Sequence, residues 1–184
     1  MIQTSIKQFR YYKQLADKAM AQVADASLFV RSHADENSIA IIVQHLSGNM
    51  RSRWTNIFTE DGEKSWRNRD NEFEPALQTK AEMIASWESG WQVLFDTLKN
   101  LNEIDLPRTI YIRNEGLTVQ DAILRQLCHY SYHCGQIVYI CKTFAGTDWQ
   151  TLSIARNDSD NYNKQKASEK NTGKHYLDSL LDDK

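Results

Sequence analysis

TVQDAILRQLCHYSYHCGQIVYICKTFAG, residues 118–146, decides the fold. Thr118 followed three residues later by Asp121 is an N-cap pattern, and Ala145–Gly146 marks a stop, so the stretch predicts one long helix. Leu127, Tyr130, Cys134, Ile137 or Val138, and Cys141 supply its packing surface. Ala122, His129, His133, Gln136 and Ile140 define the strip beside that surface. The four-residue spacing puts the rings of His129 and His133 on one side of the helix, about one turn apart.

Upstream, three further segments share the helical period. Apolar residues at Ile6, Phe9, Tyr12, Leu15, Ala19 and Val23 predict a first helix from about Thr4 to Ala26. Asn37 or Ser38 is placed to cap a second, from Ile39 to about Phe58, whose stripe is Ile39, Ile42, Leu46, Met50, Trp54 and Ile57, with His45 at its border. A capping box at Thr79 and Glu82 opens the third, through Met83, Trp87, Trp91, Leu94, Leu98 and Leu101. Residues 59–78 are polar, contain Gly62 and Pro75, and are too long for a minimal helix connection. RTIYIRNEGLTV, residues 108–119, reads as a small turn or hairpin before the last helix. The expected architecture is all-α: a four-helix bundle with a long crossover between helices 2 and 3. Residues 1–158 form its domain, with Trp149, Leu152 and Ile154 available to anchor the chain after the last helix, and 159–184 is a polar, partly disordered tail.

The 184 residues suffice for one domain with a substantial core. A formal net charge of −2 predicts no strong attraction to nucleic acid or to an anionic membrane, and no basic patch or helix-turn-helix pattern is present. No run approaches the roughly 18 apolar residues of a membrane span, and the first residues lack a signal-peptide core. Cys128, Cys134 and Cys141 have no C-x2-C spacing and fit a reducing compartment, so the expected location is the cytoplasm.

His129 and His133 can share one divalent ion, with His45 arriving from a facing helix; three imidazoles and a vacant position make a catalytic rather than a closed structural site. A His-x3-His pair also occurs as buried, hydrogen-bonded core residues, and spacing alone does not separate the two readings. His33 is the substitute for His45; His175, in the polar tail, is excluded as a ligand. Imidazole ligands suit zinc and nickel foremost, with iron or manganese also admissible. Asn49 and Gln136 are placed to hold a ligand or a metal-associated water, or to make interhelical contacts. In the crossover, Arg67 and Arg69 are candidate carboxylate clamps and Trp66 a candidate pocket wall; the same residues also read as a solvated crossover pinned by Trp66 and Phe73.

NSIAIIVQHLSGNMRSRW, joined to the later CHYSYHCGQIVY, resembles the DinB/YfiT-like superfamily of metal-dependent four-helix proteins. SWRNRDNEF and WQTLSIAR are similar to its small uncharacterised bacterial branch, and the resemblance covers roughly Ile6 to Asn163. It implies one divalent metal held by His45, His129 and His133 at one end of the bundle, and frequent homodimers. It also implies low-molecular-weight thiols as cosubstrates, transferred to small electrophiles or supporting isomerisation. A metal-dependent small-molecule hydrolase is the alternative, although HYSYH lacks the glutamate of a zinc-protease motif and leaves only Glu88 or Asp70 as acidic candidates. A non-catalytic metal-binding or stress-related interaction protein is the third reading.

Overall fold

The computed structural model describes residues 1–168 and 175–181. Four helices make the bundle: α1 (Ile2–Met20), α2 (Ile39–Trp54), α3 (Lys80–Asn100) and α4 (Val119–Ala145). Each of the last three starts where a side chain satisfies an orphan backbone donor. Ser38 Oγ accepts from the Ile41 N–H at 3.3 Å, Thr79 and Glu82 close a capping box, and Thr118 Oγ1 accepts from the Asp121 N–H at 3.0 Å.

α1 and α2 end earlier than their apolar periods predict. After Met20 the chain breaks into a single 3-10 turn, Asp25–Phe29, which brings Leu28 into the core against α2 and α4. After Trp54, Thr55 is extended and Asn56 adopts a positive φ of 49°, a conformation that asparagine tolerates and a helix does not. The crossover therefore begins within reach of the bundle end.

α2 packs along α3 and α1 along α4, whereas α2 and α4 meet far more sparingly. Phe9, Trp91 and Tyr130 pack edge-on or tilted, at centroid separations of 5.8–6.4 Å, tying α1, α3 and α4 together. The α2–α3 approach depends on Gly90. A methyl there would lie 2.8 Å from Ser47 Cα, and Ser47 Oγ donates to the Ser86 carbonyl at 2.6 Å. Gly90→Ala will therefore lower the free energy of unfolding by about 1–2 kcal/mol in urea titrations, overpacking outweighing the gain in helix propensity.

Before α4, strands β1 (Thr109–Ile112) and β2 (Glu115–Thr118) pair antiparallel. Arg113 and Asn114 make the turn at φ 56° and 63°, the two-residue hairpin geometry whose twist matches its strands. Both turn N–H groups donate to the Asp61 carboxylate at 2.8 Å, so the hairpin is docked on the start of the crossover.

Beyond α4, Trp149 and Leu152 pack on the core as expected, but Ile154 is 42% exposed: the chain has by then left the bundle surface. Residues Ser159–Ser168 form a short helix, α5. The turn Tyr176–Ser179 rests on α1, with Leu177 buried and Tyr176 Oη accepting from Gln8. The disorder expected in the tail falls in part on residues 169–174 and 182–184, which lie outside the described residues. Among the described residues no helix is long and apolar enough to cross a membrane.

Candidate metal centre

His45 on α2 and His129 and His133 on α4 converge, and one ring nitrogen from each lies within 4.8 Å of the others. His45 and His133 are buried and His129 half-buried. Nε2 of His45 and Nε2 of His129 are 3.3 Å apart. Two nitrogens bound at about 2.0–2.1 Å to a tetrahedral ion are separated by about 3.4 Å, so this spacing fits a shared cation.

The far side of each ring fixes its tautomer. His45 Nδ1–H donates to Glu72 Oε2 at 2.9 Å, His133 Nδ1–H to Gln136 Oε1 at 2.7 Å, and His129 Nδ1–H to Gln126 Oε1 at 3.3 Å. With the outer nitrogens so engaged, each Nε2 faces the others and is the atom placed to bind a cation. His133 Nε2 is buried without a hydrogen-bond partner, and Nε2 of His45 and Nε2 of His129 meet only each other. Ring nitrogens that converge, with a buried one left unpartnered, fit a site that takes a cation.

Burial, reinforced for His129 by His133, His45, Arg53 and Arg67, holds the His129 imidazolium down to about 3. Burial and then His45 hold His133 down to about 4, against the opposing hydrogen bond of Gln136. Both values are depressed from an ordinary 6.5. The unfolded chain thus takes up protons below pH 6.5 that the folded chain refuses until pH 4 or lower, and stability is lost as pH falls through that window. Metal-free protein will have a lower denaturant midpoint at pH 5 than at pH 7, and the drop will shrink in H129Q/H133Q, whose amides do not titrate. An equal drop in both proteins would refute the assignment.

Glu72 is the acidic support of the site. It is buried, and Arg67 clamps it in a fork, Nε to Oε1 at 2.7 Å and Nη2 to Oε2 at 2.8 Å. Burial alone would raise its pKa, but Arg67 and His45 outweigh that and hold the carboxyl below its ordinary range. Gly48 makes the approach sterically feasible: a methyl at that position would fall 2.8 Å from Glu72 Cδ. Phe73 stacks on the His45 ring at 4.8 Å and 29°, so the short turn Asp70–Phe73 of the crossover covers one flank.

The histidines open into a cavity of about 470 Å³ whose lining includes Asn49, Gln136 and five arginines: Arg53, Arg67, Arg69, Arg113 and Arg125. Arg67 and Arg69 thus both reach it from the crossover. Trp66 does not line it; that side chain is 60% exposed, and the aromatic wall is Phe73. Gln136 holds His133, while Asn49 Oδ1 accepts from Tyr130 Oη at 3.0 Å, itself the acceptor of Trp54 Nε1. Glu88 pairs with Lys13 and Asp70 is solvent-exposed, so neither acidic candidate belongs to the cavity. Cys128 is exposed on α4 and Cys134 and Cys141 are buried, all three free.

The family described as a protein of unknown function, DUF1572, matches residues 1–158. The chain belongs to that family. DUF1572 is the small uncharacterised bacterial branch of the DinB/YfiT-like metal-binding superfamily that the sequence resembles. No curated protein and no solved structure is significantly similar to this DUF1572 chain.

Glu72, Gln126 and Phe73 are functional neighbours that sequence reasoning missed, as are Arg53, Arg113 and Arg125. Two of them had a signal. His45, Asn49 and Arg53 are spaced by four on α2, and Arg125, His129 and His133 by four on α4, so each helix carries one continuous polar strip into the cavity. Glu72 had none, because only the folded crossover brings it to α2.

Proposed function

We propose that this protein is a divalent-metal-dependent enzyme acting on a small molecule, and foremost a transferase that moves a low-molecular-weight thiol to a small electrophile. The observation that carries this reading is the convergence of three imidazole nitrogens, each ring held from its far side, in an arginine-lined cavity. His45, His129 and His133 would hold the ion, with zinc or nickel favoured by the all-nitrogen donor set. Such an ion, when bound, acidifies a thiol or a water that reaches it.

The chain's own residues do the rest. Glu72, Gln126 and Gln136 keep protons on the outer ring nitrogens, so the inner ones stay available. Phe73 shields His45 from water on one flank. Arg69 gives the wall positive charge, and Arg67 beside it holds Glu72. Among the described residues no aspartate or glutamate lines the cavity, so the proton released by a bound thiol or water would pass to solvent in either chemistry, and the preference for transfer over hydrolysis rests on the resemblance.

The test is a rate measurement on metal-loaded protein with a small thiol and chlorodinitrobenzene, whose chloride the sulfur displaces, run beside a nitrophenyl ester. Thiol-dependent turnover lost in H129A supports the transferase; ester cleavage alone supports the hydrolase. Retained metal with no turnover on either substrate class would favour a metal-binding interaction protein. We further propose a homodimer, supported by the resemblance and by the exposed Leu124, Tyr132 and Tyr139 on α4, and a cytoplasmic location, supported by the three free cysteines. Sedimentation at the monomer mass of 21.4 kDa would sink the dimer.

A further inference from the structure

The five arginines around the histidines are not equivalent. Arg53, Arg67 and Arg113 all reach Glu63 Oε2, at 2.9, 3.3 and 3.1 Å, and Arg67 also holds Glu72. Their guanidinium groups are already committed to carboxylates inside the protein. Arg69 is different: its one acidic neighbour is Asp70 at 3.4 Å, with both side chains exposed, and its guanidinium lies 4.9 Å from the centre of the Phe73 ring. Arg125 has no carboxylate partner among the described residues. Among the described residues no acidic side chain lines this cavity, and of its five arginines Arg125 has no carboxylate partner while Arg69 has only the solvent-exposed Asp70.

Both of these arginines stand on elements that also position the histidines. Arg125 is one turn before His129 on α4, and Arg69 immediately precedes the short turn that carries Glu72 and Phe73. A cleft lined by one sign of charge concentrates the opposite sign within it. Planar guanidinium forks match the oxygen pairs of carboxylate and phosphate groups.

We infer that Arg69 and Arg125 form an anion subsite at the mouth of the cavity, taking a carboxylate or phosphate group of the substrate while its other end points toward the three histidines. This rests on the proposed function and narrows it: the substrate or cosubstrate is a small molecule with an acidic oxygen group at one end. Arg67, engaged by Glu72, is structural in this arrangement.

The first arm is calorimetry on the metal-free full chain at low ionic strength, titrated separately with glutarate and with inorganic phosphate. Saturable binding of at least one is expected, weakened about tenfold in R69Q/R125Q and unchanged in R51Q, which removes an exposed arginine away from the cavity. The tighter probe names the group. No saturable binding of either, or the same loss in R51Q, overturns the subsite. The second arm follows the absorption of cobalt-loaded protein with 3-mercaptopropionate and with propanethiol. A preference of about tenfold for the acidic thiol, abolished in R69Q/R125Q, is expected. Anion binding in the first arm with no thiol response in the second leaves the subsite standing and rejects thiol transfer. A thiol response with no preference for the acidic thiol does the reverse.

Discussion

Elemental analysis of protein purified without added metal or chelator will find about one divalent ion per chain, and H45A, H129A and H133A will each lose it. Binding free energies of about 10–16 kcal/mol for four-ligand zinc sites correspond to about 3 kcal/mol per ligand, or roughly a hundredfold in affinity for each imidazole removed. The fold should survive, because the histidines border the apolar core rather than fill it. In H45A, Glu72 keeps both hydrogen bonds from Arg67. Circular dichroism unchanged from the parent, with metal lost, is the expected result. Full occupancy in any of the three variants would remove that histidine from the ligand set.

Arg67→Met will be among the most destabilising substitutions in the molecule, costing about 3–5 kcal/mol in denaturant unfolding. The Arg67 side chain is 2% exposed and that of Glu72 9%, so methionine leaves an ionised carboxylate buried with only His45 beside it. Glu72→Gln in the same chain removes that charge and should restore part of the loss, which separates electrostatics from packing. If R67M costs less than about 1 kcal/mol, the crossover tolerates rearrangement and the fork is not what holds it.

The bundle was legible because its signals are local. The capping residues Ser38, Thr79 and Thr118, and the three-and-four spacing of apolar residues, depend only on neighbours within a turn or two. The histidine pair on α4 was legible for the same reason, and His45 followed from its place beside the α2 stripe and from the resemblance. The crossover was not. Trp66 and Phe73 look alike in sequence, yet Phe73 lies on the His45 ring and Trp66 faces solvent. Glu72, too, belongs to the site only through contacts 27 residues away in the chain. Such pairings are properties of the assembled tertiary structure and leave no period to read.

The sparing contact between α2 and α4 gives the histidines a second significance. The bundle is two tightly packed helix pairs laid side by side, and the imidazoles face one another across the seam between them. A cation held there would join points 84 residues apart and act as a clasp, adding a direct bond between two helices whose backbones approach each other at few places. The two halves of the molecule then gain a fastening beyond their shared core, and how firmly they are held together would vary with the metal supply around the protein.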